Sequence, residues 1–233
     1  MRLVSALAFT LLVGCADKGD EGFFILNNTA APMGGSCTFT GDSGQPFTAA
    51  GEIAVKAPQG YFLTPLLESR ITAVMGQEAQ RTIHLEGANV TAAVANGGAS
   101  QSYTVLFSGS LAPNGGTTNV GFEVLPTTTI KALVGTETKN VLVVATVEPY
   151  GSLGGGRVDG EPFQYPITII NDGNGIVIDQ GVCKDLMAAL ITSNSCNAYQ
   201  DGQIGCCHKS ALDANGNTVA TPNGPLVCPS VGD

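Results

Sequence analysis

The chain has no tryptophan and few charged side chains. Of its 233 residues, 12 % are charged, and 10 basic against 19 acidic residues leave a net charge of −9. An acidic surface disfavours nucleic acid and anionic lipid headgroups as partners. An apolar run from Leu3 to Val13 is shorter than the roughly 20 residues of a membrane-spanning helix, and no other run reaches that length. The sequence therefore predicts neither a nucleic-acid-binding protein nor a membrane-spanning one.

The sequence also lacks the short motifs of common catalytic sites. It contains no Gly-x-Ser-x-Gly elbow, no His-Glu-x-x-His pair and no Gly-x-x-x-x-Gly-Lys phosphate loop. Its only histidines are His84 and His208, and His84 falls on the polar face of a predicted strand. We therefore expect a protein that is not an enzyme and that holds no cofactor.

The apolar run near the amino end leads directly into Leu12-Val13-Gly14-Cys15. The basic Arg2, an apolar run of this length and a small residue before the cut are the parts of a secretory signal. The four residues resemble the signal motif of bacterial lipoproteins. That resemblance implies that residues 1–14 are a signal peptide and that the Cys15 thiol carries diacylglycerol, with fatty acyl groups such as palmitate.

Residues 15–22 are predicted to be a lipidated tether, because they are polar, charged and contain glycine. About six extended residues reach only about 20 Å, so the folded part is expected close to the bilayer. In the sorting rule of the lipoprotein family, aspartate directly after the cysteine retains the protein in the inner membrane. Ala16 stands there in this chain, so the resemblance implies the outer membrane, on its periplasmic or surface face.

Cysteine is frequent, and removing Cys15 for the lipid leaves six, an even number in an exported protein. Three disulfides are the default prediction for such a chain. Five of the six cysteines follow residue 182, so the cross-links are expected to hold the C-terminal region and to reach the rest through Cys37. Sequence does not choose among the pairings. The six are Cys37, Cys183, Cys196, Cys206, Cys207 and Cys228.

Short apolar runs alternate with turn residues between residues 23 and 178. The run Val141–Val147 is apolar on both faces, which predicts a central strand. Ile130–Val134 is predicted to be another strand, closed by Gly135. Ten or more short strands at a spacing of roughly 8–15 residues predict a mainly β domain over 23–178, an enlarged antiparallel sandwich of the immunoglobulin-like kind.

Residues 179–233 are predicted to form a small disulfide-rich C-terminal region. Apolar side chains from Val182 to Leu190 recur at helical spacing, and Asp179 is placed to cap the start of this one short helix. Residues 195–208 contain Cys-Asn, then Gln-Asp-Gly, then a cysteine pair. This segment resembles the cysteine-rich tails of uncharacterised bacterial surface lipoproteins, a resemblance that implies no activity.

Two groups of residues in this tail resemble metal sites in part. The group Cys196, Cys206, Cys207 and His208 lacks the paired Cys-x-x-Cys knuckles of structural zinc sites, and disulfides explain its cysteines better. Residues 213–217 resemble the start of a calcium loop, but glycine at the sixth place and glutamate at the twelfth are missing. We therefore predict no metal site and a plain surface turn at 213–217.

Two sets of side chains remain as alternatives. Four glutamates would serve as the acids of a glycosidase if they met across strands: Glu52, Glu86, Glu123 and Glu148. Five aromatic residues would form a platform for carbohydrate: Tyr61, Phe62, Tyr103, Phe107 and Phe122. A solvated sheet face for the glutamates and an apolar core for the aromatic rings are the simpler interpretations.

Together these features predict an outer-membrane-anchored lipoprotein with a non-enzymatic role in adhesion, assembly or envelope structure. Its partners would be the membrane, through the lipid on Cys15, and an envelope protein or glycan. One alternative is a ligand-binding module for glycans or calcium. Another is a hydrolase whose catalytic acids converge only in the fold.

Overall fold

The computed structural model describes residues 22–30, 46–57, 59–171, 177–182, 199–202, 204–208, 211–212, 218–219 and 226–227. Within these residues the chain is mainly β, which confirms the predicted class. The strands are β1 (Phe23–Thr29), β2 (Phe47–Thr48), β3 (Gly51–Ala54), β4 (Tyr61–Leu63), β5 (Pro65–Ser69), β6 (Ile83–Val94), β7 (Ser100–Leu111), β8 (Thr117–Asn119), β9 (Phe122–Leu125), β10 (Val141–Leu153), β11 (Gly156–Asp159), β12 (Phe163–Ile170), β13 (Val177–Val182), β14 (Ile204–His208), β15 (Ala211–Leu212), β16 (Thr218–Val219) and β17 (Leu226–Val227).

The largest sheet has six strands in the order β3-β12-β10-β6-β7, with β11 paired to one end of β10. Strand β10 pairs with β12 on one side and with β6 on the other. Its inward-facing residues Val143, Ala145 and Val147 are fully buried. The prediction of a central strand at Val141–Val147 is therefore confirmed.

A second sheet has the order β2-β1-β5-β8, and a separate pair is formed by β4 and β9. Buried side chains of the two main sheets belong to one apolar core. Phe23 and Leu67 come from the four-stranded sheet, and Val90, Val143 and Ile167 come from the six-stranded sheet. Removal of this apolar surface from water is the main favourable contribution to folding.

One pairing in the six-stranded sheet departs from the antiparallel prediction. Strand β3 runs parallel to β12, with Ile53 opposite Ile169. Parallel neighbours need a long connection. Here the connection between Ala54 and Phe163 contains the strands β4 to β11, so no local turn signal could reveal the pairing.

The prediction of a strand at Ile130–Val134 is wrong. These residues belong to helix α1 (Thr127–Val134), which starts after Pro126 and ends at Gly135, whose φ is +56°. Ile130, Leu133 and Val134 are buried at the i, i+3, i+4 spacing of a helical face. A short three-residue 3₁₀ helix covers Ala79–Arg81. Within the described residues, no helix is long and apolar enough to cross a membrane.

The C-terminal part contributes a sheet of order β13-β14-β17 and the pair β15-β16. Strand β13 crosses the predicted boundary at residue 178 and includes Asp179 and Val182. The predicted helix start at Asp179 is therefore wrong, because the backbone there pairs in parallel with β14. Residues 183–190 of the predicted helix lie outside the described residues.

Candidate functional site: the two edges of the six-stranded sheet

The β3 edge of the six-stranded sheet is covered by a piece of the C-terminal part, residues 199–201, which we call the clasp. The Ala54 amide donates a hydrogen bond to the Tyr199 carbonyl over 3.2 Å. The Asp201 amide donates to the Glu52 carbonyl over 2.9 Å, and the Glu52 amide donates to Asp201 Oδ1 over 2.8 Å. The backbone groups at this edge are therefore paired as they would be by another strand.

The Asp201 carboxylate also reaches the core through a buried tyrosine. The Tyr61 hydroxyl donates to Asp201 Oδ2 over 2.7 Å and lies 3.2 Å from the Tyr165 hydroxyl. Tyr165 in turn donates to Thr48 Oγ1 over 3.0 Å. Burial raises the pKa of both Tyr61 and Asp201, although the hydrogen bonds from Glu52 and Tyr61 oppose this rise at the carboxyl group.

Gln200 fixes the clasp to β4. Its side-chain Nε2 donates to the Phe62 carbonyl over 2.6 Å, and its Oε1 accepts from the Phe62 amide over 2.8 Å. Only 2 % of Gln200 is exposed. A buried side-chain amide with both ends paired replaces a strand neighbour for one residue of β4.

Close packing under the clasp requires glycine at position 51. A Cβ atom there would lie 2.2 Å from the Tyr61 hydroxyl oxygen. Real Cβ atoms do not approach other heavy atoms so closely, so the absent side chain makes room for the ring that carries the hydrogen bond to Asp201. Local sequence gives no signal for this contact, because Tyr61 and Asp201 are 140 positions apart.

The opposite edge of the same sheet is β7, which is twelve residues long. Among the described strands, β7 pairs only with β6. Its sequence contains no charged residue and no proline. Its outward side chains are exposed, and Leu106 is 78 % exposed. The absence of charge over the whole strand is visible in the sequence alone.

A groove of about 720 Å³ runs beside this edge. One wall is the stretch Gln101–Leu106 of β7, and the other is formed by β9 and the start of α1. Glu123 lies in the groove, and its Oε1 accepts a hydrogen bond from the Gly60 amide over 2.9 Å. The Tyr103 hydroxyl donates to the Val124 carbonyl across the groove wall, and burial raises the Tyr103 pKa.

The five aromatic residues of the proposed carbohydrate platform are divided by the fold. Phe62, Tyr103 and Phe122 line the groove. Tyr61 is fully buried in the hydrogen-bond network under the clasp. Phe107 stacks on Phe122 at 4.8 Å between ring centroids, on the core side of β7.

The four candidate glutamates lie on four different strands. Glu123 lines the groove, whereas Glu52 binds the clasp through its backbone. Glu86 and Glu148 are exposed, as is His84. No hydrogen bond joins any two of these four described carboxylates, so the structure does not bring them together as a pair.

A second, smaller groove of about 560 Å³ lies near β1, β2 and β12. Its lining includes Leu26 and Phe47, which are 48 % and 67 % exposed. Nothing in the described residues identifies what would cover it. The larger groove along β7 is therefore the better candidate, because it adjoins a strand edge that no other described strand covers.

Cys206 and Cys207 are buried. The predicted lipidation site Cys15 and the cysteines Cys37, Cys183, Cys196 and Cys228 lie outside the described residues, as does the segment 213–217. Across the part of the chain that the structure describes, no group of three or more His, Cys, Asp or Glu side chains is placed to hold a metal ion.

Comparison with known proteins gives little guidance. No family model matches the chain, and no curated protein matches it. A crystal structure of a protein from Archaeoglobus fulgidus is similar to part of the chain, with 13 % sequence identity and a TM-score of 0.34. The similarity covers 49 % of this chain and 93 % of that one. A similarity at this level carries no argument about fold or function.

Proposed function

We propose that the protein is a lipid-anchored, non-enzymatic module of the bacterial outer membrane that acts in assembly, adhesion or envelope structure. The observation that carries the assembly role is the uncharged edge β7 with the groove beside it. Unpaired backbone groups along a long edge are a template for another chain. A rigid sheet with such an edge is better suited to binding another chain than to catalysis.

Anchoring is supported by Leu12-Val13-Gly14-Cys15 and by Ala16 after it. One acyl chain holds a protein only marginally at a membrane, whereas two or more hold it stably. Cys15→Ser is expected to abolish palmitate labelling and either to release the protein from membranes or to leave it unprocessed. Thr10→Ala, in the same leader but outside the motif, is the control. Unchanged labelling and membrane attachment in Cys15→Ser would refute the anchor.

The assembly role is tested by cross-linking in intact cells. Formaldehyde treatment of cells that make the full chain is expected to trap it in a defined complex with itself or with one envelope protein. Cys15→Ser, if released from the membrane, is expected to lose any complex with a membrane-bound partner. A protein that stays uncross-linked while membrane-attached would contradict the assembly role and leave the anchor intact.

A glycan-binding role is the second candidate, because Phe62, Tyr103 and Phe122 line one groove together with Glu123. Aromatic rings and a carboxylate are groups that bind sugar faces and hydroxyls. A glycan array would then show binding that Phe62→Ala weakens and that Phe163→Ala, in the smaller groove, leaves unchanged. Binding no higher than background would remove this candidate.

We also propose that the two main sheets form an enlarged immunoglobulin-like sandwich and that the six remaining cysteines form three disulfides. The single core shared by both sheets supports the sandwich, and the even number of cysteines left after Cys15 supports the cross-links. Thiol titration of denatured, unreduced mature protein is expected to find essentially no free thiol. Several free thiols would contradict the disulfide proposal.

A further inference from the structure

Within the described residues, the β7 edge of the six-stranded sheet has none of three common forms of edge protection. Natural proteins keep edge strands from pairing by making them short, by placing lysine or proline on them, or by covering them. Strand β3 at the other edge is four residues long and is covered by the clasp. Strand β7 is twelve residues long, uncharged and free of proline. Its pairing with β6 changes register between Leu106 and Gly109, while its exposed and half-buried side chains keep alternating through that stretch. An edge of this kind is suited to pairing with another strand.

The outward face of β7 is complementary to itself in one register. In an antiparallel pair, residues directly opposite each other point to the same face of the sheet. A two-fold axis through Leu106 places this residue opposite its own copy. Thr104 then faces Ser108, and Ser102 faces Ser110. The exposed leucines meet at the centre, hydroxyl groups flank them, and no charge opposes another.

The same register fits the inward face. Val105 falls opposite Phe107, and Tyr103, the bulkiest of these side chains, falls opposite Gly109, which has none. Tyr103, Val105 and Phe107 are half-buried and pack against the core from the end of the sheet. A second strand beside β7 would cover their remaining exposed surface, and the groove of about 720 Å³ lies along this side of the strand.

We propose that β7 of one molecule pairs antiparallel with β7 of a second copy of this chain, joining two six-stranded sheets into one continuous sheet. This inference rests on the proposed assembly role and names its partner. A basic peptide is the rival occupant, because Glu123 lies in the groove. The uncharged strand and its matching register favour the second copy, since a peptide chosen for charge would leave Leu106 without an apolar partner.

Salt dependence separates the two occupants. The full chain carries a net charge of −9, and removal of residues 1–14 takes away the basic Arg2, so each mature copy is strongly acidic. Long-range repulsion therefore opposes self-association, and salt screens it. Pairing of two copies is expected to strengthen with rising salt concentration. Binding of a basic peptide to the acidic groove would weaken under the same conditions.

The first test is sedimentation velocity of the full-length protein purified in mild detergent, across a range of salt concentrations. The wild type is expected to dimerise, and Leu106→Lys is expected to weaken dimerisation at least about tenfold, because two ammonium groups would face each other at the axis. Met75→Lys changes an apolar residue that is 97 % exposed in a loop and is the matched control. A monomer at the highest soluble concentration and salt would overturn the proposal.

The second test places a photo-cross-linking amino acid in the full chain in cells. At Ser108, which is exposed, it is expected to give a homodimer band that Leu106→Lys removes. At Met75 it is expected to give none. Cross-linking at Ser108 to a different protein, or equal homodimer bands at both sites, would overturn self-pairing. Cross-linking at Ser108 to a different protein would still support the assembly role. The membrane anchor is tested separately by Cys15→Ser.

Discussion

The two edges of the six-stranded sheet differ in whether their backbone groups are covered. At β3 the chain covers its own backbone with the clasp and places the half-buried Asp201 carboxyl group against Tyr61. At β7 no described strand other than β6 pairs with a long, uncharged strand that lies beside a groove. The β3 edge shows that three residues of the C-terminal part, 199–201, are enough to pair the backbone of an edge strand. Under the proposed self-pairing, a second copy would do at β7 what the clasp does at β3.

The largest effect on the free energy of unfolding is expected from Gly51→Ala, for which Gly109→Ala is the matched comparison. In Gly51→Ala the new Cβ would lie 2.2 Å from the Tyr61 oxygen, whereas in Gly109→Ala its nearest neighbours are side-chain tips of Val120 and Leu85 at 3.2 and 3.3 Å. Overpacking a tight site typically costs 1–3 kcal/mol, so we expect a loss of about 3 kcal/mol for Gly51→Ala and under about 1 kcal/mol for Gly109→Ala.

Urea unfolding of the oxidised protein measures both free energies of unfolding. An equal loss in the two variants would mean that the β3 edge is no more tightly packed than the β7 edge. Hydrogen exchange at the Glu52 amide reports whether Gly51→Ala opens the clasp or only destabilises the whole molecule.

The next effect concerns the carboxyl group of the clasp. Asp201→Ala leaves the Glu52 amide and the Tyr61 hydroxyl without their acceptor. Tyr61 is buried whereas Glu52 is exposed, so only the tyrosine hydroxyl becomes an unsatisfied buried donor. Such a donor costs about 1–3 kcal/mol, so we expect a loss of about 2 kcal/mol. In a double-mutant cycle with Tyr61→Phe, the two losses should not add, because both remove the same hydrogen bond. Additive losses would argue that Tyr61 and Asp201 stabilise the fold independently.

A smaller effect on the free energy of unfolding is expected from a change in pH. Burial raises the pKa of Asp201 above its ordinary value of 3.8. The folded protein therefore binds a proton on the Asp201 carboxyl group more tightly than the unfolded chain does. The resulting contribution to stability is complete below pH 3.8 and is lost as the pH rises through the higher folded value. The stability difference between the wild type and Asp201→Asn should therefore shift against the wild type over this range.

Unfolding curves of both proteins at several pH values provide the measurement. Because asparagine does not titrate, the comparison removes the contributions of the other carboxylates. A difference that stays constant with pH would contradict the raised pKa of Asp201.

The smallest effect on folding is expected at the open edge. Leu106 is 78 % exposed, whereas Leu142 on the central strand β10 is 45 % exposed. Exposed substitutions usually change stability by less than about 0.5 kcal/mol, which we expect for Leu106→Lys in the monomer. Leu142→Lys should cost more. A large loss of monomer stability in Leu106→Lys would mean that β7 is covered within the molecule and is not an open edge.

Periodicity in the sequence was sufficient to predict the β class and the central position of Val141–Val147. It failed at Ile130–Val134, where β-branched and apolar residues suggested a strand. The structure forms α1 there because Ile130, Leu133 and Val134 share a helical face toward the core. Pro126 before the segment and Gly135 after it are helix boundary signals that could have changed the prediction.

The clasp could not have been predicted from local patterns. Its partners, Glu52 and Tyr61, are separated from Asp201 by more than half of the chain, and a Gln-Asp-Gly sequence is typical of an ordinary turn. The parallel pairing of β3 with β12 has the same origin. Both depend on contacts between distant segments, which hydrophobic alternation does not encode.

The clasp also has a consequence for the order in which the molecule forms. Proteins are synthesised from the amino end and begin to fold during synthesis. Strand β3 is made long before residues 199–201, so a nascent chain would present unsatisfied backbone at both ends of its largest sheet. Chains held up in translation or export at that stage would be vulnerable to aggregation, and an interaction with a holding chaperone would be most valuable then. Once residues 199–201 have been made, the clasp covers one of the two edges.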